Sequence, residues 1–251
     1  MRRFPLVLGL ACGVAMATGL LVDPALGQSL TFDLGDNSGS TTARIVQMIA
    51  LLTVLSLAPS ILVMVTSFTR IVVVLSFLRT AIGIQTTPPS SVIISLALFL
   101  TAFVMAPTLE QAFNTGIRPL INEEISESEA LTRTIVPFHK FMIAHVRDRD
   151  LKLFLDMSRS PVPETPEETP LRALVPAFMI SELRRAFEIG FLLFVPFLII
   201  DMVVASVLLS MGMMMLPPAT VSLPFKLIFF VLVDGWFLIA GSLVQSFGPS
   251  G

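Results

Sequence analysis

Two long apolar runs meet at a short turn in the stretch Asp201–Trp236, DMVVASVLLSMGMMMLPPATVSLPFKLIFFVLVDGW. A charge lies in each arm, Asp201 in the first and Lys226 in the second. Methionine fills irregular or changing gaps with a soft, flexible side chain, but it specifies a single packing poorly. Two interpretations are open: a hydrophobic hairpin with a methionine-rich tip, or a deformable seal in a membrane-embedded assembly. The tip residues are Met211, Gly212, Met213, Met214, Met215, Pro217 and Pro218.

The composition of the whole chain favours a membrane setting. Of the 251 residues, 54% are hydrophobic and only 14% are charged, whereas soluble domains have about 45–50% and about 25%. The chain has 20 phenylalanines, one tryptophan and no tyrosine. Because Trp and Tyr often mark the membrane–water interface, their near absence indicates that many helices face protein rather than lipid. The net charge of −2 offers no electrostatic basis for binding nucleic acid.

The N-terminus has the pattern of a secretory signal. Two arginines precede an apolar stretch, and Ala25-Leu26-Gly27 forms a small-residue cleavage site before Gln28. An uncleaved anchor helix is the alternative, because the apolar stretch is nearly long enough to span a bilayer. Cleavage of residues 1–27 would remove Cys12, the only cysteine, so the mature chain could form no disulfide.

The rest of the chain is predicted to be an all-α membrane protein. Residues 28–44 form a flexible polar linker rich in Gly, Ser, Thr and Asp. A single helical domain, 45–251, follows, with two long helical hairpins at 45–108 and 186–247. One apolar run, Val92–Ala106, would be only ~22 Å long as a helix, which is short for a span.

Between the hairpins, residues 109–185 hold 12 of the 18 acidic and 10 of the 16 basic residues. In the middle of this insert, Glu123–Arg159 is predicted to be an amphipathic helix, because its apolar residues keep helical spacing. Residues 160–170 are rich in Pro and Glu and cannot be helical. A cleaved signal would place the insert in the periplasm. The apolar residues with helical spacing are Ile135, Phe138, Met142 and Val146.

Each hairpin has the same turn pattern, a glycine followed by four residues and a proline pair. The pattern occurs at Gly83-Ile-Gln-Thr-Thr-Pro88-Pro89 and again at Gly212-Met-Met-Met-Leu-Pro217-Pro218. Glycine can end a helix by adopting positive φ, and proline cannot continue a helix but suits the first turn of the next. We therefore predict hairpin turns at Gly83, Pro88, Pro89, Pro217 and Pro218.

Charges within apolar segments require partners, because an isolated charge there costs several kcal/mol. Asp201 and Lys226 lie at similar distances from the tip, so they could pair within one chain or between copies. Each could instead contact a different partner subunit. A second cluster is predicted to hold copies together where the third apolar helix begins, with a solvated helix start as the alternative: Glu182, Arg184, Arg185 and Glu188.

Enzymatic interpretations receive little support, and we expect no catalytic residue, cofactor or metal. His139 and His145 are six apart and lack the glutamate of a zinc-binding helix. Asp201 and Asp234 could suggest an aspartyl protease, which needs two carboxylates sharing a proton. However, Asp234 lacks the expected glycine surroundings, and Lys226 offers Asp201 a simpler partner. The second class to consider is a self-contained proton- or solute-coupled transporter, in which ionisable groups mark the path.

Three long segments resemble a known family. They are TSFTRIVVVLSFLRTAIGIQTTPP (Thr66–Pro89), VPAFMISELRRAFEIGFLLFVPFLIIDMVVASVLLSMGMMMLPP (Val175–Pro218) and SLPFKLIFFVLVDGW (Ser222–Trp236). The residues of these segments and their order along the chain resemble those of the FliP family. This family forms the export gate of bacterial flagella, and its SctR relatives form that of type III secretion systems. The resemblance covers essentially the mature chain from about Ile45 onward.

The resemblance implies a homo-oligomer, expected to be a pentamer, that assembles as a ring or cone with FliQ and FliR. Other membrane proteins of the export apparatus are implied as further partners. The complex would lie in the inner membrane within the flagellar basal body, with much of it toward the periplasm. Unfolded flagellar proteins would pass through its pore, and the methionine tip, residues 211–215, would close that pore as a gasket.

We predict that the mature protein begins at Gln28, because the charged start, the apolar run and the small-residue site match a cleavable signal. N-terminal sequencing of the membrane-inserted protein checks this. Recovery of an intact Met1 in the assembled complex would contradict it.

Overall fold

The computed structural model describes residues 38–84, 86–158, 163–213 and 215–248, and their regular structure is entirely helical. The predicted signal peptide and Met214 lie outside the described residues. Packing divides the chain into two units, Met1–Val54 and Leu55–Gly251. The helices are α1 (Ser38–Met64), α2 (Phe68–Ile82), α3 (Ser90–Ala112), α4 (Arg118–Ile121), α5 (Glu127–His145), α6 (Asp148–Met157), α7 (Leu171–Ser210), α8 (Pro218–Leu232) and α9 (Gly235–Gln245).

Two helical segments are long and apolar enough to cross a membrane, Ser90–Ile121 and Leu171–Ser210. Two bent helix pairs also pass this test when each pair is taken together, giving up to four candidate spans in the described residues. In the first pair, α1 from Met48 and α2 meet at a 65° bend. In the second, α8 and α9 meet at 62°. The prediction of an all-α protein is therefore confirmed for the described residues, which contain two to four candidate membrane spans.

Several predicted boundaries differ from the observed ones. Helix α1 begins at Ser38, inside the predicted linker 28–44. The run predicted to be too short for a span continues through α3, one turn of π-helix at Phe113–Ile117 and α4, for 32 residues in all. Pro107 and Thr108 ended the apolar pattern after Ala106, but the helical backbone continues through Pro107, which lies inside α3.

The charged insert, predicted as 109–185, is not bounded by breaks in the backbone. Residue 109 lies inside α3, and residue 185 lies inside the 40-residue α7. The amino-acid composition of a segment indicates the environment of a helix, but it does not show where the helix ends. The predicted amphipathic helix over 123–159 is two helices, because Val146 and Arg147 adopt extended backbone angles.

Helix α2 forms the centre of the larger core. Its fully buried residues recur at spacings of three and four along one face, as expected of a helix with one apolar side. This face packs most extensively against α7 and also against α3. The buried residues on this face are Ile71, Val74, Leu75 and Leu78.

A second, smaller core joins α5 to the start of α7. Met142 from α5 and Phe178 from α7 are almost fully buried in it, together with Met105 from α3. Helix α5 begins at a capping serine, since the Ser126 hydroxyl accepts the backbone N–H of Glu129 at 3.4 Å. Three of the four residues of the predicted spacing, Ile135, Phe138 and Met142, lie in α5, with Met142 the most buried, whereas Val146 lies just past its end with extended backbone angles.

Helices α2 and α7 run in the same direction and approach closely at Gly190. A Cβ atom there would lie 2.6 Å from Cδ2 and 3.2 Å from Cβ of Phe77. The Phe77 ring also meets the Phe187 ring edge-on, at 5.1 Å between centroids. Glycine at position 190 therefore allows the two helix backbones to pack tightly.

We predict that Gly190→Ala destabilises the fold by about 1–3 kcal/mol, because the added methyl group overpacks the contact with Phe77. The preference of helices for alanine, about 1 kcal/mol, opposes this only in part. Thermal unfolding in detergent measures the change, and Gly241→Ala, at an open position, is the matched control. If Gly190→Ala unfolds no earlier than the control, the close approach does not limit packing.

Candidate functional site

The methionine tip begins where α7 ends in a hydrogen-bonded cap. Gly212 has a φ of +75°, the left-handed conformation that ends many helices. Its N–H donates to the Leu209 carbonyl at 3.1 Å, and the N–H of Met213 donates to the Leu208 carbonyl at 3.0 Å. This pair of bonds is a Schellman motif. The root of the tip is therefore a defined turn rather than a loose loop.

The described methionines of the tip are largely exposed within the chain. Met211 is 64% exposed, Met213 45% and Met215 99%. A Cβ atom on Gly212 would meet no atom within 4 Å. Soluble proteins rarely expose contiguous apolar groups without a partner surface. The tip is thus available for contact with other molecules.

An apolar groove of about 600 Å³ lies directly behind the tip, between α7 and α8. Its walls combine aliphatic residues of α7 with Val221 and Phe225 of α8, and two tip methionines close one end. The groove and the tip form one continuous apolar surface. The α7 and tip residues in the walls include Val203, Val207, Leu208, Met211 and Met213.

The first predicted turn lies against α8. Gly83 ends α2 with a φ of +92°, and its N–H donates to the Thr80 carbonyl at 3.1 Å. A Cβ atom there would lie 3.5 Å from Leu223 Cδ1 and 4.0 Å from Lys226 Nζ. Pro89 directly precedes α3. The α2 end of the turn therefore packs against α8, whereas the middle of the turn is exposed.

Asp201 and Lys226 pair within the chain. Lys226 Nζ lies 2.7 Å from Asp201 Oδ2 and also donates to the Ala81 carbonyl at 3.2 Å. The Ser222 hydroxyl donates to the other carboxylate oxygen, Asp201 Oδ1, at 2.5 Å. Lys226 is almost fully buried, whereas about a third of the Asp201 side chain is exposed. This cluster, which we call the Lys226 tie, joins the end of α2 to α7 and α8.

A second buried ion pair was not anticipated. Arg70 Nε and Nη2 lie 2.9 and 2.5 Å from the two carboxylate oxygens of Glu182, and both side chains are buried. Arg70 Nη1 donates to the carbonyl and hydroxyl oxygens of Ser246, at 3.1 and 3.0 Å. The guanidinium also lies 3.7 Å from the centroid of the Phe247 ring. This cluster, the Arg70 tie, joins the start of α2 to α7 and to the end of α9.

The prediction that Glu182 faces a neighbouring copy is wrong, because its carboxylate is enclosed and fully paired within the chain. The available signal was Arg70, a charge inside an apolar helix that needed a partner. The exposed charges of the predicted cluster behave differently. Arg184 Nε lies 2.9 Å from Glu188 Oε1 one turn later, with both side chains at least half exposed. Arg185 is partly buried on the adjoining face.

Both histidines have structural contacts. His139 Nε2 lies 2.8 Å from the Thr169 carbonyl, and His145 Nδ1 donates to the Phe141 carbonyl at 2.8 Å. Burial lowers the pKa of His145, and the hydrogen bond to Phe141 offsets part of that effect. Within the described residues, no group of three or more His, Cys, Asp or Glu side chains could hold a metal ion.

Candidate membrane spans, charges tied in pairs between apolar helices and an exposed methionine tip together define a multi-helix integral membrane protein. Residues 51–243 match the FliP family. The chain belongs to this family.

The relatives extend over most of the chain. The flagellar biosynthetic protein FliP of Caulobacter vibrioides is 59% identical over 248 residues, which cover 98% of this chain and 92% of the relative. The FliP proteins of Rhizobium meliloti and Bacillus subtilis are 54% and 56% identical, over 83% and 80% of this chain and 86% and 91% of their own length. The chain is therefore a membrane component of the flagellar export apparatus and not an enzyme.

We predict that Asp201→Ala or Lys226→Ala each reduces the yield of folded protein, because each leaves a charge in an apolar setting without its partner. Exchanging the two charges should restore part of the yield. Recovery stays partial, since a carboxylate at position 226 cannot bond the Ala81 carbonyl. Size-exclusion chromatography of detergent extracts measures the yield.

Ser222→Ala is the control for this exchange, because it removes one hydrogen bond to Asp201 and leaves the ion pair intact. We expect it to stay close to the parent. If the charge exchange recovers no folded protein at all, the pair does not stabilise the fold, and separate partners for Asp201 and Lys226 are favoured.

Proposed function

We propose that this chain is the pore-forming core subunit of the flagellar protein export gate, which passes unfolded flagellar proteins across the bacterial inner membrane. The observation that supports this most is the methionine tip, which is exposed on a hydrogen-bonded root. A self-contained transporter has less support, because the curated relatives are named as flagellar biosynthetic proteins.

A gate for unfolded chains must block ions when idle and still admit side chains of any shape. A narrow apolar constriction blocks ions by excluding water. Methionine has three rotatable bonds, so a ring of tips could close and part at small cost. Residues 211–215 would supply this gasket, with Gly212 turning the backbone at its base and Pro217 and Pro218 starting the next helix.

The gasket requires several copies, and we propose a ring or cone of five together with FliQ, FliR and other membrane proteins of the export apparatus. The groove behind the tip and the exposed apolar face of α7 support an assembly, because both lack cover within the chain. The exposed Arg184–Glu188 pair lies between Leu183 and Phe187, which are also exposed. Placing charged side chains against lipid is energetically costly. We therefore propose that a neighbouring subunit, rather than lipid, covers this face.

We place the assembly in the inner membrane at the flagellar basal body, with much of it toward the periplasm. The insert supports the periplasmic position, since it holds most of the charge of the chain. Helices α3 and α7 extend without a break into the insert. A helix that continues from an apolar segment into a charged one can extend from the membrane into water, so these two helices fit an assembly that projects into the periplasm.

We predict that changing Met211, Met213, Met214 and Met215 together to alanine leaves the complex assembled but makes the membrane leak small ions. Alanine is too short to fill the constriction, so water and ions would enter it. Ion flux into membrane vesicles measures the leak, and the amount of exported flagellar protein measures export, which should be affected less than leakage.

Met202→Ala is the matched control, because Met202 is 61% exposed on the same helix but lies nine residues before the tip. It should remain as ion-tight as the parent. If the quadruple variant assembles and is equally tight, the methionines only pack against other subunits and the gasket proposal fails.

A further inference from the structure

Helix α9 is attached to the rest of the second unit at its two ends. At its start, the chain bends by 62° between α8 and α9. The residue at the bend is Asp234, with φ 50° and ψ 53°. A non-glycine residue adopts this left-handed conformation only rarely. No side-chain hydrogen bond caps the first turn of α9.

The far end of α9 is held by the Arg70 tie. Arg70 Nη1 donates to both oxygens of Ser246, and the guanidinium stacks on the Phe247 ring. That ring also stacks on Phe141, with 6.1 Å between centroids, and lies 5.4 Å from the His145 ring. Phe247 therefore contacts both hydrophobic cores of the unit.

Between its ends, α9 is attached lightly. Ile239 and Leu243 are buried in the larger core, and the helix packs against α3 and α8. Its other face is apolar and exposed, with Phe237 72% and Leu238 52% accessible. An eleven-residue helix with one buried stripe has a small share of the core to hold it in place.

We propose that α9 is a strap, hinged at Asp234 and latched by the contacts of Ser246 and Phe247 with Arg70. Opening the latch lets α9 leave the core as a unit, while α2, α5 and α7 stay packed. The Arg70–Glu182 pair survives opening, because its two hydrogen bonds do not involve the strap. This proposal concerns the single chain and does not depend on the export gate.

The latch has chemical consequences that distinguish it from ordinary packing. All three guanidinium nitrogens of Arg70 donate hydrogen bonds, Nε and Nη2 to Glu182 and Nη1 to Ser246, and Arg70 is 1% exposed. When the strap opens, Nη1 loses both of its acceptors and the guanidinium loses its contact with the Phe247 ring, which is unfavourable. The closed position is therefore preferred, and the open one is a minor state that weaker latch contacts would populate.

Hydrogen exchange followed by mass spectrometry on the full-length protein tests the strap. Phe247→Ala should speed exchange of the α9 amides by roughly tenfold, with α7 exchange unchanged, as expected for local opening. Ser246→Ala, which removes the hydroxyl that accepts from Arg70 and donates to the Leu243 carbonyl but keeps the backbone carbonyl, should have a smaller effect in the same direction. Phe247→Leu keeps apolar contact without the aromatic face and should fall between the parent and Phe247→Ala.

Gln245→Ala is the matched control, since Gln245 is exposed beside the latch and should leave exchange unchanged. Asp234→Gly tests the hinge: it relieves the left-handed conformation, so it should slow α9 exchange without changing α7. Unchanged α9 exchange in Phe247→Ala would overturn the proposal. Equal acceleration of α7 and α9 would also overturn it, because the contact would then hold the whole fold rather than a strap.

Discussion

An unpaired charge in an apolar setting costs several kcal/mol, and this cost organises the structure. Two buried cations, Arg70 in α2 and Lys226 in α8, are met by the same combination of groups. Each binds one carboxylate on α7, Glu182 or Asp201, and each donates to a backbone carbonyl at the end of another helix. Both ties therefore neutralise a charge and satisfy a helix terminus that the apolar surroundings would leave unpaired.

The ties fix the register of α2 along α7. Arg70 lies near the start of α2, and the Ala81 carbonyl lies at its end, about 16 Å further along at 1.5 Å per residue. Sliding α2 by one turn would separate both cations from their acceptors. It would also move Phe77 away from the space that Gly190 leaves open. Hydrophobic packing alone tolerates such shifts more easily, because aliphatic side chains can substitute for one another.

Sequence patterns predicted the helices and the turns, because apolar periodicity and Gly–Pro spacing act through local physics. They also predicted that Asp201 and Lys226 could pair, since equal distances from a turn give equal depth. They did not predict the Arg70 tie, whose partners are 112 and 176 residues away in sequence. The boundaries of the insert do not coincide with helix ends, because charge density follows the environment of a helix and not its hydrogen bonds.

Both ties lie away from the methionine tip, and this separation suits the gasket that we propose for the tip. Asp201 is ten residues before Met211, or about 15 Å along α7. The cap at Gly212 satisfies the carbonyls of Leu208 and Leu209, so the backbone at the root of the tip is held by its own hydrogen bonds. Beyond it, Met213 and Met215 are 45% and 99% exposed, and a methionine side chain can change its conformation at small cost. The proposed constriction could therefore open by moving its methionine side chains while the helices stay in place. The polar contacts that hold the helices, namely the two ties and the cap at Gly212, would not have to break.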